Sequence, residues 1–442
     1  MTRTFASRFA LVLYLAGINL LAPLAGLLLL PFLLCLRKRR KTLFRRLGFQ
    51  RFPGGGKPAV NPLWVHALSV GELNSCIPLI KELRKRLPRR SLYLSVSTLT
   101  AHEIATEKAR AYVDGLFYFP YDLLLPVRRC LSQIRPAFFL LIETDIWPGF
   151  LAEIRRLGIP CFLLNGRLSP ASFRFSRFFS ALFLPAFDTF TRIYPQSLEE
   201  EKHFHALGLN QEKMHSSDNL KFDLAAPLPS SKVIVELRTS LGIGEKDRVL
   251  LAGSTHAGED AMLRAALLAL RQTHPETKLI IVPRHPKRAT EIERLFRNDT
   301  LRTLLFSQRS RVQADVIVVD CMGLLGSLYA VADVTFVGGS LVRKGGQNPI
   351  EPAAAGKPVL FGPDMSDFPE VSRLLLEKGG AIRVQNTGDL IEQCGRLLAD
   401  PGLAATVGMR ARAVVEEHQG ASRKIAADIV AFLDKFSLEA AT

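Results

Sequence analysis

The sequence has few cysteines, and none lies at the spacing of a metal or redox motif. Six Cys occur in 442 residues, and no two of them form a C-x-x-C pair. A disulfide framework and a zinc module are therefore excluded, and the cytosol, or a membrane face turned toward it, is the expected compartment. Glycine (31) and proline (26) are near ordinary usage, which excludes collagen-like and low-complexity chains.

Several familiar motifs are missing as well. The sequence contains no P-loop, no strand-linked G-x-G-x-x-G, no G-x-S-x-G elbow and no Asp-x-Asp pair after a predicted strand. His203 and His205 lie in a charged helical stretch, which predicts an exposed helix face rather than a metal site. No aromatic RNA-binding signature and no basic recognition helix is evident, so nucleic acid is not the expected partner.

Acidic residues are outnumbered by basic ones. The chain has 41 Asp and Glu against 58 Lys and Arg, which gives a net charge of +17. This surplus favours anionic partners such as anionic lipid or phosphorylated small molecules. Apolar residues make up 48% of the chain, which excludes disorder by composition, and the length suits two domains.

Charge is missing altogether from residues 9–36, FALVLYLAGINLLAPLAGLLLLPFLLCL. About 20 apolar residues suffice to cross a bilayer as a helix. Seven of the ten residues from Arg37 to Arg46 are basic, five of them Arg and two Lys, so the positive-inside rule places the rest of the chain in the cytoplasm. Pro23 and Pro31 leave open a helix that lies in one leaflet, and a buried core helix is the remaining alternative.

Beyond the glycine-rich connector at residues 53–56, short apolar runs alternate with amphipathic stretches. Such strands predict parallel sheets that are covered on both faces, and two sets of them predict an α/β protein with two doubly wound, Rossmann-like domains facing a cleft. The runs are Leu63–Ala67, Leu92–Val96, Phe138–Ile142, Cys161–Leu164, Thr191–Tyr194, Val249–Ala252, Leu279–Val282, Val316–Val319, Val334–Val337 and Pro358–Phe361. The predicted divisions are residues 1–52 (anchor and basic segment), 53–225 and 226–442. A chain starting near Lys57 is expected to keep both domains folded.

Polar residues that follow the predicted strands of the first half are candidates for chemistry, because ligands bind at the carboxyl ends of parallel strands. Glu72 lies in SVGE, where Ser69-x-x-Glu72 also has the spacing of a capping box, so a helix cap and a cleft carboxylate both remain open. Glu143 follows a strongly apolar strand in ETDIWP. Lys221 lies in NLKFD, just before the predicted domain break.

In the second half, three segments are candidates for binding an anion. GSTHAGED (253–260) follows the first strand, and Arg284 in PRHPKR follows the next. A glycine-rich loop then leads to NPIEP, which predicts a helix with Asn348 as N-cap, Pro349 as its first residue and Glu351 in its first turn. Glu351 is equally suited to cap that helix or to accept hydrogen bonds from sugar hydroxyls.

Taken together, these motifs resemble the lipid A Kdo transferases, which are membrane-anchored glycosyltransferases of the Gram-negative envelope (Kdo is 3-deoxy-D-manno-octulosonic acid). The resemblance covers nearly the whole chain and rests on the order of SVGE, ETDIWP, NGRLS, NLKFD, GSTHxGE, PRHP, the DxMG stretch 320–323 and GGS…NPIEP. It implies a GT-B fold with an N-terminal anchor helix. It also implies a location on the cytoplasmic face of the inner membrane, in contact with membrane lipids.

The resemblance further implies an inverting transfer of Kdo from CMP-Kdo to a lipid A precursor, lipid IVA, with no cofactor and no metal at the donor site. Glu72 matches the family's general base, and Glu143 and Lys221 match its transition-state stabilisers. The residues that match its CMP-binding segments are Pro283, Arg284, Met322, Gly323, Leu324, Asn348, Pro349, Ile350 and Glu351.

Three positions depart from the family pattern, and two other functions remain as alternatives. Leu324 replaces a common Glu, Gln347 a common His and Asp218 a common Gly. The alternatives are another GT-B transferase or a sugar-nucleotide epimerase, and a membrane-tethered, non-catalytic binder of anionic polymer. The binder would not require Glu72 and Glu143, and the epimerase would not require an anchor.

Overall fold

The computed structural model describes residues 2–21, 23–24, 28, 37–53, 62–225, 229–297, 301–308 and 313–439. The chain divides into two compact units, which we call unit 1 and unit 2. Unit 1 comprises Met1–Asp223 together with Gly420–Thr442, and unit 2 comprises Leu224–Gln419.

Unit 1 is built on a six-stranded parallel sheet with the order β3-β2-β1-β4-β5-β6. The alternation of short apolar strands with helices produces this sheet, because parallel strands need crossover connections. The strands are β1 (Leu63–Ala67), β2 (Leu92–Val96), β3 (Gly115–Tyr118), β4 (Phe138–Ile142), β5 (Cys161–Gly166) and β6 (Arg192–Pro195).

Helices surround this sheet. They are α1 (Thr2–Ala16), α2 (Arg37–Arg46), α3 (Val70–Arg86), α4 (Leu99–Lys108), α5 (Leu124–Ile134), α6 (Pro148–Arg156), α7 (Pro170–Phe178), α8 (Ser180–Phe187), α9 (Leu198–Ala206) and α18 (Ala421–Glu439). One face of the sheet packs against α3 and α18. The other carries an aromatic core that includes Trp64, Phe119, Phe139 and Phe150.

The C-terminal helix α18 lies with unit 1, whereas the predicted second domain included all residues after 225. Its apolar face is responsible: Ile425 and Ile429 are buried in the unit 1 core, and the Phe432 ring packs edge-on against Phe138 and Phe162. The Asp223 carboxylate also accepts backbone N–H bonds of 2.6 Å from both Gly420 and Ser422 where the chain returns.

The N-terminal segment forms no long apolar anchor helix in the described residues, which corrects the predicted continuous helix. Helix α1 ends at Ala16 and passes into a π-helical turn at Gly17–Leu21. Within the part of the chain that the structure describes, no helix combines the length and apolar character that crossing a bilayer requires. Most of the predicted run after residue 21 lies outside the described residues.

Polar side chains of the N-terminal segment form hydrogen bonds to other parts of unit 1. The Tyr14 hydroxyl donates a 2.7 Å hydrogen bond to Asp122, a buried carboxylate that also accepts the N–H of Gly149 at the start of α6. Asn19 Oδ1 accepts a 2.8 Å bond from the N–H of Leu124. Part-buried hydrogen bonds thus join this segment to the rest of unit 1, and the expectation for a chain starting near Lys57 stays a prediction.

Unit 2 contains a seven-stranded sheet with the order β13-β12-β11-β7-β8-β10-β9, again parallel throughout. The strands are β7 (Arg248–Thr255), β8 (Thr277–Pro283), β9 (Thr303–Leu305), β10 (Val316–Val318), β11 (Val334–Val337), β12 (Val359–Phe361) and β13 (Ala381–Arg383). The helices are α10 (Ser231–Ser240), α11 (Glu259–Thr273), α12 (Ala289–Arg297), α13 (Leu325–Tyr329), α14 (Ile350–Ala354), α15 (Pro369–Glu377), α16 (Thr387–Ala399) and α17 (Pro401–His418). Two parallel-sheet α/β units are therefore confirmed.

Candidate active site

The sheet of unit 1 has a topological switch point between β1 and β4. From β1 the chain moves toward β2 and β3, and it then crosses to β4 on the other side. Loops that leave adjacent strands in opposite directions form a crevice at the carboxyl ends of the strands, where ligands bind. Glu72 lies in the first turn of α3, the helix that follows β1, and Glu143 directly follows β4. The structure thus brings these two predicted carboxylates to one edge of the sheet.

The Glu72 side chain makes hydrogen bonds of a helix cap while lying at this edge. Its Oε2 accepts a 2.6 Å bond from the N–H of Leu68, and its Oε1 lies 3.3 Å from the Ser69 hydroxyl. Ser69 is the N-cap of α3 and accepts from the N–H of Glu72. The Ser69 half of the predicted capping box is therefore present, whereas Glu72 accepts from the N–H of Leu68 instead of that of Ser69, and the chemical role of the carboxylate stays open.

The electrostatic environment distinguishes Glu72 from an ordinary capping carboxylate. Burial raises the pKa of Glu72 from 4.5 to about 8, and the nearby negative charges of Glu143 and Asp145 add to this effect. The N–H of Leu68 opposes the increase because it stabilises the charged form. A carboxyl group with a pKa near 8 exchanges protons near neutral pH, as a general base requires.

Glu143 occupies an unfavourable backbone conformation at the end of β4. Its φ is +56°, in the left-handed region that non-glycine residues rarely adopt, while its N–H donates to the carbonyl of Leu164. Its Oε1 lies 3.6 Å from the Nζ of Lys221, and both side chains are mostly buried. Strained residues of this kind concentrate at functional sites. The structure therefore brings Glu143 and Lys221 together as an ion pair.

Two asparagines that the sequence analysis did not single out position the segment that carries Lys221. The side-chain oxygen of Asn165 accepts the N–H of Leu220, and that of Asn219 accepts the N–H of Lys221, both at 3.0 Å. Asn165 also has a positive φ, of 55°, at the end of β5. Asn165 could have been found in the sequence from its place in the NGRLS motif, because Asn adopts a positive φ more readily than most residues do.

His66 and Asp145 form a further polar pair that sequence reasoning missed. The Nε2 of His66 lies 3.3 Å from Asp145 Oδ2, and its Nδ1 lies 3.0 Å from the Ser95 hydroxyl. The fully buried His66 ring stacks on Phe119 with centroids 3.9 Å apart. Asp145 is thus tied to β1, which helps to hold the Glu143–Asp145 segment in place.

In unit 2, the predicted donor-binding residues also lie at the carboxyl edge of the sheet. Pro283 ends β8, where it pairs with Thr255 of β7, and the N–H of Arg284 donates to the Thr255 carbonyl at 3.0 Å. The Arg284 side chain is exposed. The edge therefore presents a guanidinium beside the GSTH segment.

The other two predicted segments approach each other in unit 2. A Cβ at Gly326 would lie 3.9 Å from Glu351 Oε2, so the turn after Met322–Leu324 adjoins Asn348–Glu351. Helix α14 begins at Ile350, one residue later than predicted, so its N-cap is Pro349 rather than Asn348. The Asn348 side chain instead accepts the N–H of Ile350 in an Asx turn, at 3.0 Å, because Pro349 itself has no N–H to donate.

The three departures from the family pattern have structural partners. Leu324 precedes α13 and packs against the core of unit 2. The Gln347 amide lies 3.3 Å from the Nε2 of His256. Asp218 pairs with Lys424 of α18 at 3.4 Å. Within the described residues, no group of three or more His, Cys, Asp or Glu side chains has the arrangement of a metal-ion site.

Comparisons with known proteins show which family this chain is similar to. The family model described as 3-Deoxy-D-manno-octulosonic-acid transferase (kdotransferase) matches residues 41–224. A 3-deoxy-D-manno-octulosonic acid transferase of Bordetella pertussis is 32% identical, over 83% of this chain and 86% of the relative. The enzyme of the same name from Haemophilus influenzae is 30% identical, over 87% of this chain and 90% of the relative.

The chain belongs to the Kdo transferase family. It is therefore a glycosyltransferase, and the non-catalytic and epimerase alternatives are set aside. Among solved structures, a UDP-GlcNAc 2-epimerase from Neisseria meningitidis resembles it with a TM-score of 0.58 at 15% identity, covering 84% of this chain and 100% of the epimerase. At that identity the likeness concerns the fold alone, which resembles that of GT-B enzymes.

Proposed function

We propose that this Kdo transferase moves Kdo from CMP-Kdo to lipid IVA, a phosphorylated lipid A precursor, in lipopolysaccharide biosynthesis, and inverts the anomeric centre. The observation that carries the proposal is that Glu72 and Glu143 both lie at the switch point of the unit 1 sheet. One of these carboxyl groups has a pKa of about 8, and the other is paired with Lys221. A base and a fixed charge pair suit a displacement whose leaving group is already good.

In the proposed reaction, the Glu72 carboxylate takes the proton of an acceptor hydroxyl. The hydroxyl oxygen forms a bond to the anomeric carbon of Kdo as the bond from that carbon to the phosphate oxygen of CMP breaks. A single displacement inverts the configuration of this carbon. Arg284 stabilises the negative charge on the departing phosphate, and Lys221 with Glu143 stabilises the charge that develops at the sugar.

The CMP moiety is proposed to bind unit 2 through Pro283, Arg284, Met322–Leu324 and Asn348–Glu351. Support comes from their position at the carboxyl edge of the sheet and from the proximity of Glu351 to Gly326. A carboxylate at the start of a helix is suited to accept hydrogen bonds from ribose hydroxyls. The exposed Arg284 guanidinium is suited to bind phosphate with two hydrogen bonds.

We further propose that the protein is held at the cytoplasmic face of the inner membrane by its N-terminal segment. The uncharged run 9–36 and the basic residues after it support this placement. Large apolar side chains of the described part of the segment are exposed: Phe9, Val12, Leu13, Leu20, Leu21, Leu24 and Leu28. Helix α7 adds exposed Phe175 and Phe178 next to exposed Arg174 and Arg177, a composition typical of membrane-interface helices.

The proposed reaction is tested by incubating the purified protein with CMP-Kdo and lipid IVA and determining the product masses. We expect lipid IVA to gain the mass of one or more Kdo residues, with stoichiometric release of CMP. CMP-N-acetylneuraminate and UDP-GlcNAc serve as matched alternative donors. Transfer from either of these donors and none from CMP-Kdo would contradict the proposal.

A further inference from the structure

Three loops meet at the switch point of the unit 2 sheet. Strand β7 lies between β11 and β8, and the chain leaves β7 toward β8 before it crosses back to β11. The three loops that follow these strands, at residues 254–258, 284–288 and 338–349, therefore line the crevice where such sheets bind ligands. We call this set of loops the donor edge.

A buried carboxylate fixes two of the three loops against each other. Glu259, which is fully buried, accepts backbone N–H bonds of 2.8–3.1 Å from His256, Gly339, Ser340 and Leu341. These four donors compensate for the burial of the charge. The loop that carries His256 and the glycine-rich loop are thus held together as one rigid structure.

His256 lies where all three loops come together. Its Nε2 is 3.3 Å from the Gln347 amide nitrogen, and its ring centroid is 6.4 Å from that of His285. Burial lowers the pKa of His256, and the positive charges of His285, Arg284 and Lys344 lower it further. Basic side chains from the other two loops therefore act on this one imidazole.

Several basic side chains of the donor edge are not paired with an acid within the described residues. Within the described residues, Arg284, His285 and Lys344 form no ion pair with a carboxylate, whereas the neighbouring Arg288 is paired with Asp260. Glu259 faces backbone N–H groups instead of these side chains. Uncompensated cations gathered on a rigid edge create a potential that favours an anionic ligand.

The number of basic groups exceeds what a nucleoside monophosphate requires. The proposed donor carries two anionic groups on the same anomeric carbon: the phosphate of CMP and the carboxylate of the sugar. Arg284 serves the phosphate in the proposed function, which leaves His256 and Lys344 for a second anion close to it. Common sugar nucleotides have no charge at this carbon, so a second set of basic ligands would distinguish an acidic donor sugar.

We propose that His256 and Lys344 bind the carboxylate of the donor sugar, with Gln347 orienting the imidazole, and so select a 2-keto-3-deoxy sugar acid. This inference rests on the proposed function. Because Gln347 donates to Nε2 of the neutral imidazole, the ring proton is placed on Nδ1, where it is a hydrogen-bond donor. Lys344 supplies the charge.

The inference is tested by comparing two ligands that differ in the sugar acid. The KM for CMP-Kdo is measured in transfer to lipid IVA, and the inhibition constant of CMP, which lacks the carboxylate, is measured in the same assay. The variants are His256→Ala, Lys344→Met and the charge-conserving Lys344→Arg. His274→Ala is the matched control, since His274 lies just beyond the far end of α11.

We expect His256→Ala and Lys344→Met to raise the KM for CMP-Kdo about tenfold, which corresponds to about 1.4 kcal/mol. The inhibition constant of CMP should change less than twofold, which also shows that the variants are folded. Lys344→Arg and His274→Ala should remain close to wild type.

Equal weakening of CMP-Kdo and CMP would place these residues on the phosphate and overturn the inference. An unchanged CMP-Kdo KM, with or without an altered KM for lipid IVA, would also overturn it. Absence of CMP-Kdo turnover by the wild-type protein would instead contradict the proposed function, and this inference would fail with it.

Discussion

At the scale of single residues, Glu72 shows how one side chain serves both the helix and the proposed chemistry. Its hydrogen bonds to Leu68 and Ser69 fix the carboxylate, while burial and Glu143 raise its pKa to about 8. A proton acceptor held in one orientation needs no rearrangement before it reacts. Cap and base are therefore compatible functions of this residue, although the sequence presented them as alternatives.

The raised pKa of Glu72 predicts the pH dependence of transfer. Because the base must be charged, the rate should rise with pH toward a plateau above about pH 8, and it should fall roughly tenfold for each pH unit below that. Initial rates at saturating substrate between pH 6 and pH 9 measure this limb. A rate that stays constant across this range would contradict the assignment of Glu72 as the base.

The same pKa predicts a dependence of stability on pH. A carboxyl group whose pKa is raised by folding binds its proton more tightly in the native state, so stability decreases as pH rises from about 4.5 to about 8. Glu72→Gln, which carries no titrating proton, should be less sensitive to pH in this window. Melting temperatures of both proteins at several pH values provide the measurement, and parallel curves would contradict the prediction.

Arg284 gives a further prediction at this scale. Removing a charge-assisted phosphate contact costs about 1.5–3 kcal/mol, so Arg284→Ala should raise the KM for CMP-Kdo by about 10- to 150-fold. The inhibition constant of CMP should rise similarly, whereas the KM for lipid IVA should change little. A normal donor KM together with a shifted lipid KM would remove Arg284 from the donor site.

At the scale of secondary-structure elements, the N-terminal helix is tied to the segment that follows Glu143. Tyr14 of α1 binds Asp122, and Asp122 binds the N–H groups of Gly149 and Phe150 at the start of α6. The N-terminus of α6 is thereby capped by a carboxylate from another loop. The first residues of the chain thus stabilise the element that immediately follows the ETDIWP segment.

Tyr14→Phe should accordingly destabilise unit 1 by about 1–2 kcal/mol, because a buried carboxylate loses a hydrogen-bond donor. Both tryptophans of the chain, Trp64 and Trp147, lie in unit 1, so tryptophan fluorescence during urea denaturation monitors this unit. Tyr112→Phe is the control, since the Tyr112 hydroxyl makes no hydrogen bond within the described residues. Equal midpoints for the two variants would show that the Tyr14 bond contributes nothing.

The strands and helices also show how much of the fold could be predicted from the sequence. The central strands could be predicted because a strand that is buried on both faces appears in the sequence as a continuous run of apolar residues. Three edge strands, β3, β9 and β13, were missed: each is only three or four residues long, and each has a single neighbour. The return of α18 to unit 1 was missed because its apolar face does not indicate which core it covers.

The site shows the same limit. Glu72, Glu143 and Arg284 could be predicted, since each follows a predicted strand on the edge where ligands bind. The pairing of His66 with Asp145 and the four bonds to Glu259 depend on tertiary contacts between distant segments. Neither spacing nor composition indicates such contacts in a single sequence.

At the scale of the whole molecule, the net charge of +17 and the exposed apolar side chains predict binding to anionic membranes. Phe178 on α7 is 81% exposed, so Phe178→Ser should reduce co-flotation with vesicles that contain anionic lipid. Met409→Ser is the control, because Met409 is a similarly exposed apolar residue, at 64%, in unit 2. Equal flotation of the Phe178 variant and wild type would remove α7 from the proposed membrane surface.

The central claim is that Glu72 acts as the general base, and the Glu72→Gln variant tests it most directly. Gln can still occupy the third position of a capping box, but it cannot take a proton. The measurement is the rate of Kdo transfer to lipid IVA at pH 8, with the melting temperature and CMP binding as controls for folding. We predict near-normal melting and CMP binding and a rate at least about 100-fold below wild type. Transfer at a near-normal rate would contradict the account, reduce Glu72 to a helix cap and leave Glu143 as the next candidate base.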